Sequence, residues 1–203
     1  MIKYLFADRD GTLIVDKHYL SDPSQIEFYP GVAKSLNELQ KNGIKICMVT
    51  NQSGIGRGYF SEQDFLACQK TLEQQLHAEH AELFDFAFCA HAPEEQCHCR
   101  KPALGMWEIL SRKHCLHPRE CAMIGDKKED VIFGIRAGFS FSCLVLTGKG
   151  QKTVHEFNLD YAGELKMFSS EIFGIKQEAT TCCLAATVAE FSHFLINKNR
   201  EEL

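Results

Sequence analysis

The run Lys3-Tyr4-Leu5-Phe6-Ala7 stops at Asp8-Arg9-Asp10-Gly11-Thr12. A short, mostly apolar run of this kind reads as a buried strand. It delivers two carboxylates, two residues apart, into a glycine turn. Crowded carboxylates repel, so a site that keeps both ionised holds a cation. Hard oxygen donors suit Mg²⁺ better than Zn²⁺. Asp and Gly also favour ordinary turns, and what stands at the other strand ends separates the two readings.

The chain repeats the pattern. Pro30-Gly31 opens a helix carrying Val32, Leu36 and Leu39, and Asn42-Gly43 closes it. Residues 44–49 form a second buried strand that runs into Thr50-Asn51-Gln52-Ser53-Gly54. Hydroxyls and amides on such a loop suit phosphate oxygens. The glycines of Gly54-Ile55-Gly56-Arg57-Gly58 lack the Gly-Lys-Ser/Thr of a P-loop. Ser61 caps a helix predicted to run to about His80, with Phe65, Leu66, Leu72 and Leu76 as core contacts. Strands follow at 84–89, 121–124 and 142–146, separated by helices at 103–114 and up to Gly138. The fourth strand ends in Gly125-Asp126-Lys127-Lys128-Glu129-Asp130. Asp126 is placed to join the cation, and Asp130 to brace the site from the next helix's first turn. Strands alternating with helices predict an α/β fold built on a doubly wound, Rossmann-like parallel sheet. Ligands of such sheets bind at the carboxyl ends of the strands.

A second constellation lies between the third strand and the next helix. Cys89-Ala90-His91 is followed, after five residues, by Cys97-His98-Cys99. Three thiols and an imidazole at this density match a closed, structural Cys₃His zinc site with Cys89, His91, Cys97 and Cys99 as ligands. His98 competes with His91, but between two cysteine ligands it would strain the chelate. Arg100-Lys101-Pro102 comes next and reads as a positioned anion clamp.

A length of 203 residues favours one domain over 1–203. A net charge of −5 gives no nucleic-acid footprint. There is no apolar stretch long enough to span a membrane and no signal-peptide pattern. The ten cysteines are therefore expected to be reduced thiols or metal ligands of a cytoplasmic protein.

Asp8-x-Asp10-Gly11-Thr12, Thr50, Lys101 and Gly125-Asp126 to Asp130 resemble, in order, the four motifs of the haloacid dehalogenase superfamily. The resemblance spans residues 4–148. More narrowly, the Asp-Arg-Asp-Gly-Thr segment, residues 50–60, the Cys-x-His…Cys-x-Cys loop and Arg-Lys-Pro resemble the D-glycero-D-manno-heptose 1,7-bisphosphate 7-phosphatase family. Histidinol-phosphate phosphatases share the four motifs and the zinc loop, but the 54–60 segment with Arg57 favours the heptose enzymes. The alternatives are histidinol phosphate as substrate, or an inactive zinc-stabilised binding module.

The resemblance implies a phosphatase of bacterial heptose synthesis with Asp8 as nucleophile and Asp10 as acid and base. Mg²⁺ would be held by Asp8, the Asp10 carbonyl and Asp126, with Thr50 and Lys101 on the transferring oxygens. Arg100 and Lys127 would contact substrate. Asp16, Lys17, His18 and Tyr19, with Asn51, Gln52 and Ser53, would line the sugar site, and Arg57 would join them. The partner implied is a small phosphorylated sugar, the cap is minimal, and a monomer is expected. The chain departs from the family in a short zinc loop (89–99) and in residues 151–178, which read as an insertion before a final strand at 181–185 and a helix at 188–195.

Overall fold

Side chains alternate across a strand, so a strand covered on both faces reads as one unbroken apolar run. The computed structural model describes residues 1–177 and 179–202. Two boundaries named above, Glu178 of the 151–178 stretch and Leu203 at the chain's end, lie outside the described residues. The strands are β1 (Tyr4–Ala7), β2 (Lys45–Asn51), β3 (Asp85–Cys89), β4 (Cys121–Gly125), β5 (Phe141–Val145), β6 (Lys166–Phe168) and β7 (Thr181–Ala185). They form one sheet in the order β3-β2-β1-β4-β5-β7-β6. Every pairing is parallel except β6 against β7.

The alternation sorts each strand between two layers. Leu5, Ala7, Ile46, Met48, Ala122 and Ile124 face one apolar cluster. Phe6, Cys47, Val49, Cys121 and Met123 face the other. The first layer is covered by α1 (Val32–Lys41), by α3 (Glu62–Ala78), which follows the single-turn α2 (Ser53–Gly56), and by α7 (Val188–Glu201). The second is covered by α4 (Gly105–His114) and α5 (Lys128–Ala137). Trp107 packs there edge-on against Phe6 and Phe139, with centroids 5.5 and 4.9 Å away. Cys47, Cys68, Cys121, Cys143, Cys182 and Cys183 are all buried core residues. Burial pushes the Cys47 thiol up to about 12, so it packs as a small neutral hydrophobe.

β1 and β4 are neighbours, and from this pair the chain winds outward in both directions. That is the switch point at which a doubly wound sheet opens a crevice. Residues 148–177 are more regular than the sequence suggests. They contain the helix α6 (Gly150–Glu156) and the edge strand β6, which extends the sheet beyond β7. β6 is a three-residue strand with Lys166 and Met167 exposed, so it carries no apolar period. No helix among the described residues is long and apolar enough to cross a membrane.

β1 is tied to the last helix. The Ile2 amide donates to Asn199 Oδ1, and Asn199 Nδ2 donates to the Ile2 carbonyl, both at 2.7 Å. Asn199→Ala strands two buried backbone groups and is expected to cost about 2–3 kcal/mol. An unchanged urea midpoint would show that α7 is not anchored this way.

Candidate active site

The β1 strand hands its last ladder bond to the loop, with the Asp8 amide donating to the Ile124 carbonyl at 3.0 Å. The chain then curls back. The amides of Leu13 and Ile14 both donate to the Arg9 carbonyl at 3.0 Å, and Gly11 takes φ +92°. This turn aims Asp8 into the crevice while keeping it 4% exposed.

Lys101 decides the charge balance. Its ammonium lies 2.7 Å from each of Asp8 Oδ1, the Val49 carbonyl and Asp130 Oδ1. A lysine has three protons to donate, and all are spent on protein acceptors. Burial alone pulls its pKa down, but Asp130 and Asp8 outweigh this and hold it above the usual value. Burial likewise pushes Asp8 up, but the Lys101 and Lys127 charges prevail and hold it below the usual carboxylate range. Asp8 therefore stays an anion, and its buried Oδ2 has no hydrogen-bond partner.

That free oxygen belongs to a converging set. The Lys127 ammonium lies 3.3 Å from the Asp10 carbonyl, 3.1 Å from Asp126 Oδ1 and 3.7 Å from Asp8 Oδ2. Three hard oxygens thus point at one positive charge, the donor set that suits a magnesium-sized ion. Asp8, Asp126 and Asp130 are also close enough for a shared ion. Asp130 is already committed, however, to Lys101 and to the Lys127 amide at 3.0 Å. Asp126 Oδ2 accepts from the Lys149 amide at 2.8 Å. A Cβ on Gly11 or Gly148 would come within 2.2 or 2.3 Å of that same oxygen, so both positions need glycine. Burial, and then the Asp8 charge, push the Asp126 carboxyl up to about 7.

A cavity of about 230 Å³ opens over these groups. Asp8, Asp10, Asp16, His18, Tyr19, Thr50, Asn51, Gln52, Ser53, Arg100, Lys101, Lys127 and Asp130, all expected from the sequence, line it. Lys17 and Arg57 are not among the lining residues. Lys17 pairs with Glu27 at 2.6 Å and Arg57 with Glu94 at 3.1 Å. The Asn51 amide is also spent elsewhere. It accepts from the Lys101 amide at 2.9 Å and donates to the Lys101 carbonyl at 3.2 Å, which fixes the lysine's backbone. Thr50 Oγ1 accepts from Gln52 at 2.8 Å, leaving its own proton for another acceptor. Arg100 Nη1 is buried without a partner.

A family model for HAD-hydrolase-like proteins matches residues 98–164. The D-glycero-beta-D-manno-heptose-1,7-bisphosphate 7-phosphatase of Haemophilus ducreyi is 40% identical over 154 residues, 72% of this chain and 85% of that protein. The enzyme of the same name from Escherichia coli K12 is 38% identical over 154 residues, 71% and 80% of the two chains. The chain belongs to the haloacid dehalogenase superfamily, in the family of these heptose-bisphosphate phosphatases. A crystal structure of the D,D-heptose 1,7-bisphosphate phosphatase from B. bronchiseptica, complexed with magnesium and phosphate, superposes with a TM-score of 0.80 at 25% identity. The match covers 97% of this chain and 99% of that one.

In this haloacid dehalogenase fold the Cys/His loop stands beside the crevice. Cys89, His91, Cys97 and Cys99 bring their ligand atoms within 4.8 Å of one another. The sulfur pairs lie 3.2, 3.4 and 3.6 Å apart, and His91 Nδ1 lies 3.3 and 3.6 Å from Cys99 and Cys89. A tetrahedral zinc with Zn–S near 2.3 Å puts sulfurs about 3.8 Å apart, so the four donors fit that ion. His98 turns away to Glu108 at 3.1 Å. The loop is stitched to the rest of the site by the Gln52 amide on the Cys89 carbonyl at 2.7 Å and the Gly56 amide on the Ala90 carbonyl at 2.8 Å.

Sequence reasoning missed Lys149, Glu129 and Leu20, which also line the cavity. Lys149 follows the carboxyl end of β5, the same position that marked the other loops. Arg9 was missed too, because a lone arginine between two acids reads as a solvated charge. Cys97→Ser is expected to lower bound zinc and to drop the thermal midpoint by roughly 5–10 °C, about 2–3 kcal/mol for a chain of this size. Unchanged zinc stoichiometry would remove Cys97 from the ligand set.

Proposed function

We propose that this protein hydrolyses the 7-phosphate of D-glycero-D-manno-heptose 1,7-bisphosphate, in the cytoplasm, as a step in making heptose for the bacterial surface. The chemistry rests on Asp8, a buried anion with one oxygen free beside a point where three oxygens converge. The choice of substrate rests on relatives of that name at 36–40% identity.

In this reading the Asp8 carboxylate attacks phosphorus and the bond to the sugar oxygen breaks. Asp10 gives its proton to that departing oxygen. Water then attacks the aspartyl phosphate, loses a proton to Asp10, and frees Asp8 and inorganic phosphate. Asp8, the Asp10 carbonyl and Asp126 would hold Mg²⁺, which would supply the positive charge that lets an anionic nucleophile meet an anionic ester. Lys101 holds Asp8 ionised and oriented, and Thr50 turns its hydroxyl proton to a phosphoryl oxygen. Arg100, with its unpaired buried N–H, and the rim at Asp16, His18 and Tyr19 take the second phosphate and the sugar. Lys149 adds a further cation on the same wall. Zinc at the Cys/His loop is structural, holding Arg100 and Lys101 in register with the Thr50–Ser53 loop. We assign the chain as one domain, acting as a monomer without nucleic acid.

Phosphate release with Mg²⁺ from heptose 1,7-bisphosphate and from histidinol phosphate, measured side by side, tests the substrate. Preference for the bisphosphate, with one phosphate released, is expected. Preference for histidinol phosphate would keep the mechanism and overturn the substrate. Asp8→Asn is expected to abolish turnover of either.

Metal binding supplies a second test. A carboxyl raised to about 7 is increasingly protonated as pH falls through neutrality, and a protonated Asp126 cannot serve as an anionic ligand. Mg²⁺ affinity, measured by calorimetry, is expected to be about tenfold weaker at pH 6 than at pH 8, with a proton released on binding. An ordinary carboxylate would give no change over that range.

A further inference from the structure

Arg9 is wholly buried, yet the scheme above gives it no task. Its Nε donates to Asp10 Oδ2 at 2.9 Å and its Nη2 to Asp10 Oδ1 at 3.1 Å. Nη2 also reaches Gln52 Oε1 at 3.3 Å, and Gln52 Nε2 donates to Asp10 Oδ2 at 2.8 Å. The guanidinium carbon sits 4.9 Å from the centre of the Phe65 ring, which fixes the plane of the fork. Asp10 is thus gripped from behind by a rigid two-residue clamp, while its side chain keeps 19% of its surface on the crevice side.

Stability alone does not account for this arginine. A buried ion pair is often no better than an apolar side chain of similar volume. Here Nη1 is left buried with no partner, which adds a cost. The geometry of the fork explains its presence better. A planar fork sets both the position and the rotation of a carboxylate, which a lysine cannot do. Oδ2 already accepts two bonds and Oδ1 one, so Oδ1 is the oxygen with room for a transferable proton.

We propose that Arg9, backed by Gln52 and Phe65, is a positioning residue that aims Asp10 Oδ1 at the ester oxygen and later at the attacking water. The inference rests on the phosphatase reading above. It makes a claim about leaving groups. A sugar alkoxide needs a proton as it departs, whereas p-nitrophenolate leaves without one. Misaiming Asp10 therefore slows the first step for the sugar ester and spares the aryl ester.

The test is rapid-mixing kinetics of alcohol release in the first turnover, with Mg²⁺, using heptose 1,7-bisphosphate and p-nitrophenyl phosphate. In Arg9→Met the sugar-ester rate is expected to fall about 10- to 100-fold, a part of the roughly 10²- to 10⁴-fold that a positioned acid contributes. The aryl-ester first turnover falls less than about threefold, and its later steady state slows because water activation also needs Asp10. Arg9→Lys keeps the charge but not the fork and is expected to behave like Arg9→Met. Gln52→Leu, which leaves Arg9 in place, is expected to show the same selectivity at smaller size and keeps the result readable if Arg9→Met does not fold. Equal losses with both esters, or no loss with the sugar ester, would overturn the role of Arg9. Release of neither alcohol by the unaltered protein would overturn the phosphatase reading itself.

Discussion

The Lys101 ammonium is the charge on which the site depends. It is 2% exposed, and its three acceptors come from the Asp8 loop, from β2 and from α5. Burying one cation or one carboxylate alone is costly; burying them within 2.7 Å of one another removes most of that cost. Taking Lys101 away would leave Asp8 and Asp130 as facing buried anions. The lysine is therefore a condition for the crevice to exist in an ionised state, before any question of substrate arises.

Holding that charge in place takes much of the surrounding structure. Asn51 binds the Lys101 backbone in both directions. The Cys/His loop ends directly before Arg100 and Lys101, and it is hydrogen-bonded to the Gln52 and Gly56 amides on the other side. A metal-clamped loop is a short route to rigidity in a connection with little apolar content. In the proposed reading a zinc ion on Cys89, His91, Cys97 and Cys99 would brace the crevice wall and leave no open metal position.

Several polar residues at the strand ends turn out to serve other side chains. Gln52 is spent on Asp10, Thr50 and Arg9, and Asn51 on Lys101. Lys17 and Arg57 form ion pairs with Glu27 and Glu94. A linear sequence marks which loops reach the crevice, because that follows from the parallel topology. It does not mark which side chains on those loops turn inward, because that depends on partners distant in the chain. Asn51 and Lys101 are fifty positions apart, and their bond is visible only once β2 and the Cys/His loop lie side by side.

The sequence by itself determined the layered α/β fold, the strand ends that carry chemistry, the acidic pair at Asp8 and Asp10, and the Cys₃His grouping. These are local facts of period, spacing and residue type. Tertiary structure alone decided the strand order around β1 and the edge strand β6, whose three residues carry too little pattern to read. It also decided that Lys101 faces Asp8, that Asp126 sits between Gly11 and Gly148, and that Arg9 turns inward to Asp10. Each of those depends on the balance of burial against charge in three dimensions, which no stretch of sequence contains.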